Sequence, residues 1–413
     1  MPAAGDRPTA QPTQALADLR VIEYGDFIAP AYAGKLLADL GAEVLKIEPP
    51  RRGDSLRRHG PFPDDVPDSE KSGLFLYLNA NKLGITLDPT TATGREIFLR
   101  LVADADVLIE NHRPGWLASL GLGYETLAQR NPRLIVTSIT PYGQTGPYRD
   151  APAYDITVCA LGGIAVDVGE PGRAPLTPPL YQSEYQGGIG GAAATLTALL
   201  ARNRTGRGQH ADVATTELFS TIHSGGAAPT FVFLGPPPGR QGHRRADLYP
   251  YTILPCKDGY VCLIAREGQQ WKRFLQAIGW PAWADNPRYR DRRIVAEQYP
   301  DEMDQLVLQW LMQHTKEEIF ALCRAHRVPF APLRTADEIL ADPALAERGY
   351  WLELDHPVAG RLRYPGAPYK LSATPWACLR PAPLLGQHNA AIYCGRLGYS
   401  RQELVTLYRT GVI

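Results

Sequence analysis

Short apolar runs, each closed by Gly, Pro or a charged residue, alternate with helical spacing through the first third of the chain. LRVIEY (19–24) is followed by a turn, by YAGKLLADLG ending at Gly41, and by EVLKIEPP, which predicts strand, helix, strand. The pattern continues with GITLD, the helix TATGREIFLRLVADA, the strand DVLIEN, the helix YETLAQRN and the strand LIVTSI. Such alternation over about 120 residues is the grammar of a parallel sheet, so the expected fold class is α/β, with a Rossmann-like doubly wound large domain.

Past Glu217 the pattern changes. FVFLGPPPGRQGHRRADLYP is Pro/Gly-rich and basic, as in a linker. YTILPCKDGYVCLIA predicts a hairpin turning at Lys257-Asp258-Gly259, because Asp-Gly between apolar runs favours a tight turn. WKRFLQAIG and EMDQLVLQWLMQHTKEEIFALCRAH predict helices, giving a smaller α+β domain. The expected division is a disordered tail over 1–15, a large domain from 16–217 and 341–413, a linker over 218–247 and a small domain over 248–340. A chain of 413 residues also exceeds the size at which one core stops growing.

Composition narrows the function classes. Lys+Arg and Asp+Glu both number 43, so no basic excess points to nucleic acid. No run reaches the ~18 apolar residues that span a bilayer, and the polar N-terminus lacks a signal-peptide core. The six cysteines form no CxxC pair and no Cys/His cluster, so no metal is expected and the thiols are read as free, in a cytoplasmic protein. Ligands of doubly wound sheets bind at the carboxyl ends of the strands. PPRRGD (49–54), NANK (79–82) and ENHRPG (110–115) are the segments assigned to those ends. No GxGxxG follows the first strand, which argues against a dinucleotide cofactor but leaves other phosphates open.

ADLGAEVLKIEPPRRGD, LNANKLGITLD, ADVLIENHRPG, NPRLIVTSITPYGQTGP, ALLARNRTGRGQHADV, PCKDGYVCLIA and PAPLLGQHNAAI, in that order, resemble the family III CoA-transferases, the group of formyl-CoA and carnitine CoA-transferases. The resemblance implies an interlocked, ring-shaped dimer with coenzyme A or acyl-CoA as substrate across the strand ends. It places Phe27, Ala29, Leu87 and Asn111 at CoA contacts, with Arg113 as a phosphate partner. Core packing is the competing role for Phe27 and Leu87.

The family mechanism uses an aspartate that attacks the acyl-CoA thioester, 21 residues before the Thr of TGRGQ. That Thr is Thr205, and 205 − 21 = 184, so the position holds Glu184. Three roles compete for it. As a nucleophile, its extra methylene shifts the attacking oxygen by ~1–1.5 Å, a large displacement where near-attack geometry is strict. As a helix-start acid it would serve the dipole. As a relic it would mark a subunit whose homologous partner keeps the aspartate. Other departures gather nearby: Ile28 stands where transferases often have Gln, Ser119 where formyl-CoA transferase has a CoA-contacting Arg, and GRQGHRRADLYPY where some members have a glycine-rich loop. Tyr154 and Asp155 match the aromatic-acid pair near the family's anhydride. The racemase branch has His in place of Tyr154, and a phenol is a poor proton-transfer base.

The first-ranked expectation is a non-nucleophilic subunit of a heteromeric transferase that moves CoA from an acyl-CoA such as succinyl-CoA to a (di)carboxylic acid. The partner is a homologous subunit, or a second copy if Glu184 is itself the nucleophile. An acyl-CoA racemase or isomerase and a non-catalytic CoA-binding scaffold rank below. Solvent is the default environment for Arg244 and Arg245.

Overall fold

The computed structural model describes residues 14–224, 227–235, 239–245 and 247–413. Residues 1–13 of the expected tail, and 225–226, 236–238 and 246 of the expected linker, lie outside them. Six strands form one parallel sheet: β1 (Arg20–Glu23), β2 (Glu43–Glu48), β3 (Leu83–Thr86), β4 (Val107–Glu110), β5 (Ile135–Thr140) and β6 (His210–Ala214). Their order is β3-β2-β1-β4-β5-β6, so the winding reverses between β1 and β4. This is the doubly wound arrangement expected from the alternating pattern.

The apolar residues of these strands divide by parity, because successive side chains point to opposite faces. Ile22, Leu45, Ile85, Leu108 and Val136 pack under helix Ala92–Ala103 and the C-terminal Leu407, Val412 and Ile413. Val21, Val44, Val107, Ile109 and Ile135 pack under helices Ile28–Ala38 and Gln182–Thr205. The last two helices lie unusually close. A Cβ on Gly188 would sit 2.9 Å from the Ala29 carbonyl oxygen, and one on Gly191 would sit 2.4 Å from Ile139 Cδ1. The glycines after Glu184 therefore set the depth at which its helix is seated.

The chain contacts separate two compact units. One comprises the chain up to Ile164, Pro178–Pro229 and Glu347–Ile413; the other comprises Ala165–Thr177 and Thr230–Ala346. In the second unit β7 (Tyr251–Cys256) and β8 (Gly259–Ile264) form the antiparallel hairpin, with Cys256 paired to Gly259, and β9 (Ala331–Pro332) adds to β8. The long helical run splits into Pro300–Leu311 and Lys316–Ala325, since the Thr315 side chain caps the second helix by accepting from the Glu318 amide. Within residues 218–247 the structure places helix Ala227–Leu234. Arg244 is not left to solvent: it donates to Asp304 Oδ2 at 2.9 Å and pairs with Asp301 at 2.6 Å, whereas Arg245 stays exposed, 3.4 Å from Asp247.

The C-terminal segment contains an antiparallel pair absent from the expectation, β10 (Trp351–His356) and β11 (Gly360–Pro365). It then returns to the main sheet. His388 N–H donates to the Gly84 carbonyl, Asn389 bonds Thr86, and the buried Tyr393 hydroxyl donates to the Thr86 carbonyl at 2.6 Å. These bonds clamp β3 at the sheet edge.

Candidate active site

A cavity of about 630 Å³ opens at the carboxyl ends of β1 to β4, where the winding reverses. Tyr24 to Asp26 follow β1, Pro49 to Arg52 follow β2, Leu87 and Asp88 follow β3, and His112 follows β4. Arg409, Thr410 and Gly411 close one side, held there by the Asp88 amide donating to the Val412 carbonyl at 2.8 Å. Ile47, Leu87 and Trp116 give the lining its apolar part, and Arg51, Arg52 and Arg409 are exposed cations. Apolar walls beside guanidinium groups suit a ligand with a flat heterocycle and phosphates.

His112 lies between Tyr24 and Trp116, with ring centroids at 4.6 and 4.2 Å. Burial pushes its pKa down to about 4, so the imidazole is neutral at physiological pH. Its buried Nε2 has no hydrogen-bond partner. A buried polar atom left unmatched is unusual, and here it belongs to a residue that lines the cavity.

Below this cavity lies a closed set of ion pairs. Glu23 accepts from Lys46 at 2.7 Å and from Lys82 at 2.6 Å, and Lys46 also pairs with Asp54 at 2.6 Å. All four side chains are buried. Lys82 further donates to the Ala31 carbonyl and to Asn79, which places NANK before β3 as a structural element instead of at a ligand-bearing strand end. Asp54 Oδ1 accepts from the Phe27 amide at 3.2 Å. Phe27 needs that hold, because its φ of 68° and ψ of −150° occupy a region normally reserved for glycine. Its ring meets Tyr181 edge-on at 5.2 Å, and Tyr181 is itself left-handed, with φ 53°.

The Phe27 turn aims the start of helix Ile28–Ala38 at Glu184. Glu184 is the third residue of helix Gln182–Thr205, yet its Oε2 accepts from the Ala29 amide, 3.1 Å away on the other helix. It thereby satisfies one of the free N–H groups of a helix start. Burial raises its pKa to about 7; the Ala29 bond opposes that rise, while Asp155 and Asp26 reinforce it. Asp155 Oδ1 accepts from the Ser183 amide at 2.8 Å and from the Ser183 hydroxyl at 2.7 Å, which fixes it one residue from Glu184. Tyr154 is 79% exposed.

The site residues proposed from sequence therefore fall in different places. Leu87 lines the cavity, and Ala29 touches Glu184. Phe27 shapes the turn between them. Asn111 Oδ1 accepts from the Asp26 amide at 2.9 Å and its Nδ2 donates to the Asp26 carbonyl at 2.7 Å, so its amide straps the loop after β1. Arg113 lines a separate cavity of about 160 Å³ with Glu110, Ser138 and His210. Tyr24, Trp116 and Arg409 carried no sequence signal, whereas Arg51, Arg52 and His112 sit inside the strand-end segments PPRRGD and ENHRPG. Among the described residues no cluster of His, Cys, Asp and Glu is arranged to hold a metal, and no helix is long and apolar enough to cross a membrane.

Residues 16–389 match the model of CoA-transferase family III. The chain is 33% identical to a succinate–glutarate CoA-transferase of Agrobacterium fabrum, over 98% of this chain and 99% of the relative. It is also 33% identical to the succinyl-CoA:(R)-benzylsuccinate CoA-transferase subunit BbsE of Thauera aromatica, over 97% and 98%. Among solved structures it resembles a CaiB/BaiF family protein from Brucella suis, with TM-score 0.84 and 31% identity, covering 93% of this chain and 99% of that one.

Proposed function

This chain belongs to CoA-transferase family III, and from that premise we propose that it is the non-nucleophilic subunit of a heteromeric, succinyl-CoA-using CoA-transferase that passes CoA to an organic acid. The nucleotide end of CoA takes the cavity at the sheet reversal, its base against the apolar wall and its phosphates toward Arg51, Arg52 and Arg409. The thioester end follows Asp26 to Ala29 toward Glu184, a path of three residues, or at most ~11 Å of chain.

The observation that carries this reading is the bond from Ala29 to Glu184 Oε2. It gives the carboxylate a structural task, and the added methylene is used to reach another helix. In the homologous partner an aspartate attacks the thioester carbonyl, CoA leaves as thiolate, and an acyl anhydride forms. The thiolate then attacks the aspartyl carbonyl and expels succinate; the acceptor carboxylate attacks the resulting aspartyl-CoA thioester and releases the thiolate, which attacks the acceptor carbonyl of the new anhydride and returns the aspartate as a free carboxylate. Asp155, Asn111 and the Phe27 turn act here by shaping the pocket. A partner is further supported by large apolar side chains left open to solvent: Phe233 and Leu234 are each 81% exposed and Leu180 is 76% exposed. Interlocking of the two subunits into a ring-shaped dimer would cover such surface.

A second reading keeps Glu184 as the nucleophile in a homodimer. Its favouring observation is the half-buried carboxyl with a pKa raised to about 7, beside the acyl path. Co-purification separates the two: the first reading expects a homologue with Asp in the segment equivalent to QSEYQGG, and turnover in the assembly that survives Glu184→Gln. Turnover by this chain alone, abolished by Glu184→Gln, would establish the second.

A further inference from the structure

The smaller unit holds a cavity of about 640 Å³ that the proposed reaction does not use. Arg266, Arg290, Arg292 and Arg293 line it against Asp247 and Asp291, a local excess of two positive charges in a chain whose charges balance overall. Arg292 is fixed: its guanidinium donates to the carbonyls of Tyr249, Ala265 and Arg266. Both aspartates already have partners of their own. Asp291 caps helix Arg292–Gln298 by accepting from the Arg293 amide at 2.9 Å, and Asp247 lies 3.4 Å from Arg245.

Arg266, Arg290 and Arg293 have no side-chain hydrogen bond or ion pair among the described residues. The contrast with Arg288, in the same run, is informative. It pairs with Glu302 at 2.9 Å and lies 4.0 Å over the Tyr299 ring. Free guanidinium groups brought together in a concavity repel one another unless an anion joins them. Each presents a planar fork of donors matched to an oxyanion.

We propose that this arginine-lined cavity is a binding site for a small diphosphate. A phosphate offers three terminal oxygens to several forks, where a carboxylate offers two. Among the described residues Leu248 is the one apolar residue in the lining, so an acyl chain or a heterocycle would find little wall there to bury against. The diphosphate can belong to a nucleotide or be a free phosphorylated compound.

The test is calorimetric titration of the full-length protein with inorganic pyrophosphate at low salt. Wild-type protein should bind it, with affinity falling as salt rises. The double variant Arg290→Gln/Arg293→Gln should bind at least tenfold more weakly. Both side chains are exposed and, among the described residues, unpaired, so its thermal unfolding should match wild type. Arg51→Gln/Arg52→Gln, at the other cavity, should leave pyrophosphate binding at this site in place. Parallel titration with ADP names the source: equal or tighter binding, lost in the Arg290/Arg293 variant, identifies a nucleotide, and binding of pyrophosphate alone identifies a free phosphorylated compound. No binding by wild type, or binding unaffected by the Arg290/Arg293 changes, overturns the proposal.

Discussion

The Glu184 carboxylate is hydrogen-bonded to the Ala29 amide across 3.1 Å, joining the first turns of two helices that pack face to face. Its cost depends on pH. The pKa is raised from 4.5 in the unfolded chain to about 7 in the fold, so between these values the folded state holds more protons and stability falls as pH rises. Glu184→Gln keeps an oxygen for Ala29 and removes the charge. It should raise the melting temperature above pH 7 and lose that advantage below about pH 4.5, as read by thermal unfolding across pH. A variant less stable than wild type at pH 8 would show that the ionised carboxylate is favoured there.

Glu23→Gln should be strongly destabilising. It would leave Lys46 and Lys82 buried with one carboxylate fewer between them, a loss of about 3–5 kcal/mol for a broken buried pair. Urea unfolding measures it. A change under ~1 kcal/mol would mean that Asp54 and the Ala31 carbonyl suffice for the two ammonium groups.

Gly188→Ala tests the seating of the Glu184 helix. The new methyl would press on the Ala29 carbonyl oxygen at 2.9 Å, so the two helices must separate. The expected loss is about 1–3 kcal/mol, with the Glu184–Ala29 bond lengthened in a crystal structure. Unchanged stability would show slack that the close packing denies.

Charge removal at the cavity rim should weaken CoA in a salt-dependent way. Arg51→Gln/Arg52→Gln should reduce CoA affinity about 10–100-fold by calorimetry, with a shallower dependence on salt, since exposed guanidinium–phosphate attraction is screened. An affinity unaltered at low salt would move the phosphates away from these two residues.

Five of the six parallel strands were legible because they are short, apolar and punctuated, whereas β6, with His210 and Asp212 among its five residues, was not; the Asp258-Gly259 signal placed the β7–β8 turn. The site was legible only in part. Leu87 was placed by the family resemblance, and it lines the cavity at the end of β3. Asn111 looked like a free strand-end donor, yet both ends of its amide bond Asp26, a local contact that no sequence spacing reveals. Arg409 reaches the cavity only because the C-terminal segment folds back over β3, joining residues more than 300 positions apart. Glu184 could be found by its distance from Thr205, but the direction of its carboxylate is set by the Phe27 turn and by the glycines behind it.

The most direct measurement is covalent trapping in the native assembly. Succinyl-CoA is added to the complex purified with its natural partner, the intermediate is captured with hydroxylamine or borohydride, and the peptides are analysed by mass spectrometry. The expected result is an adduct on an aspartate of the homologous partner and none on the peptide from Tyr181 to Arg202. An adduct on Glu184 would contradict it and make this chain a nucleophile-bearing transferase.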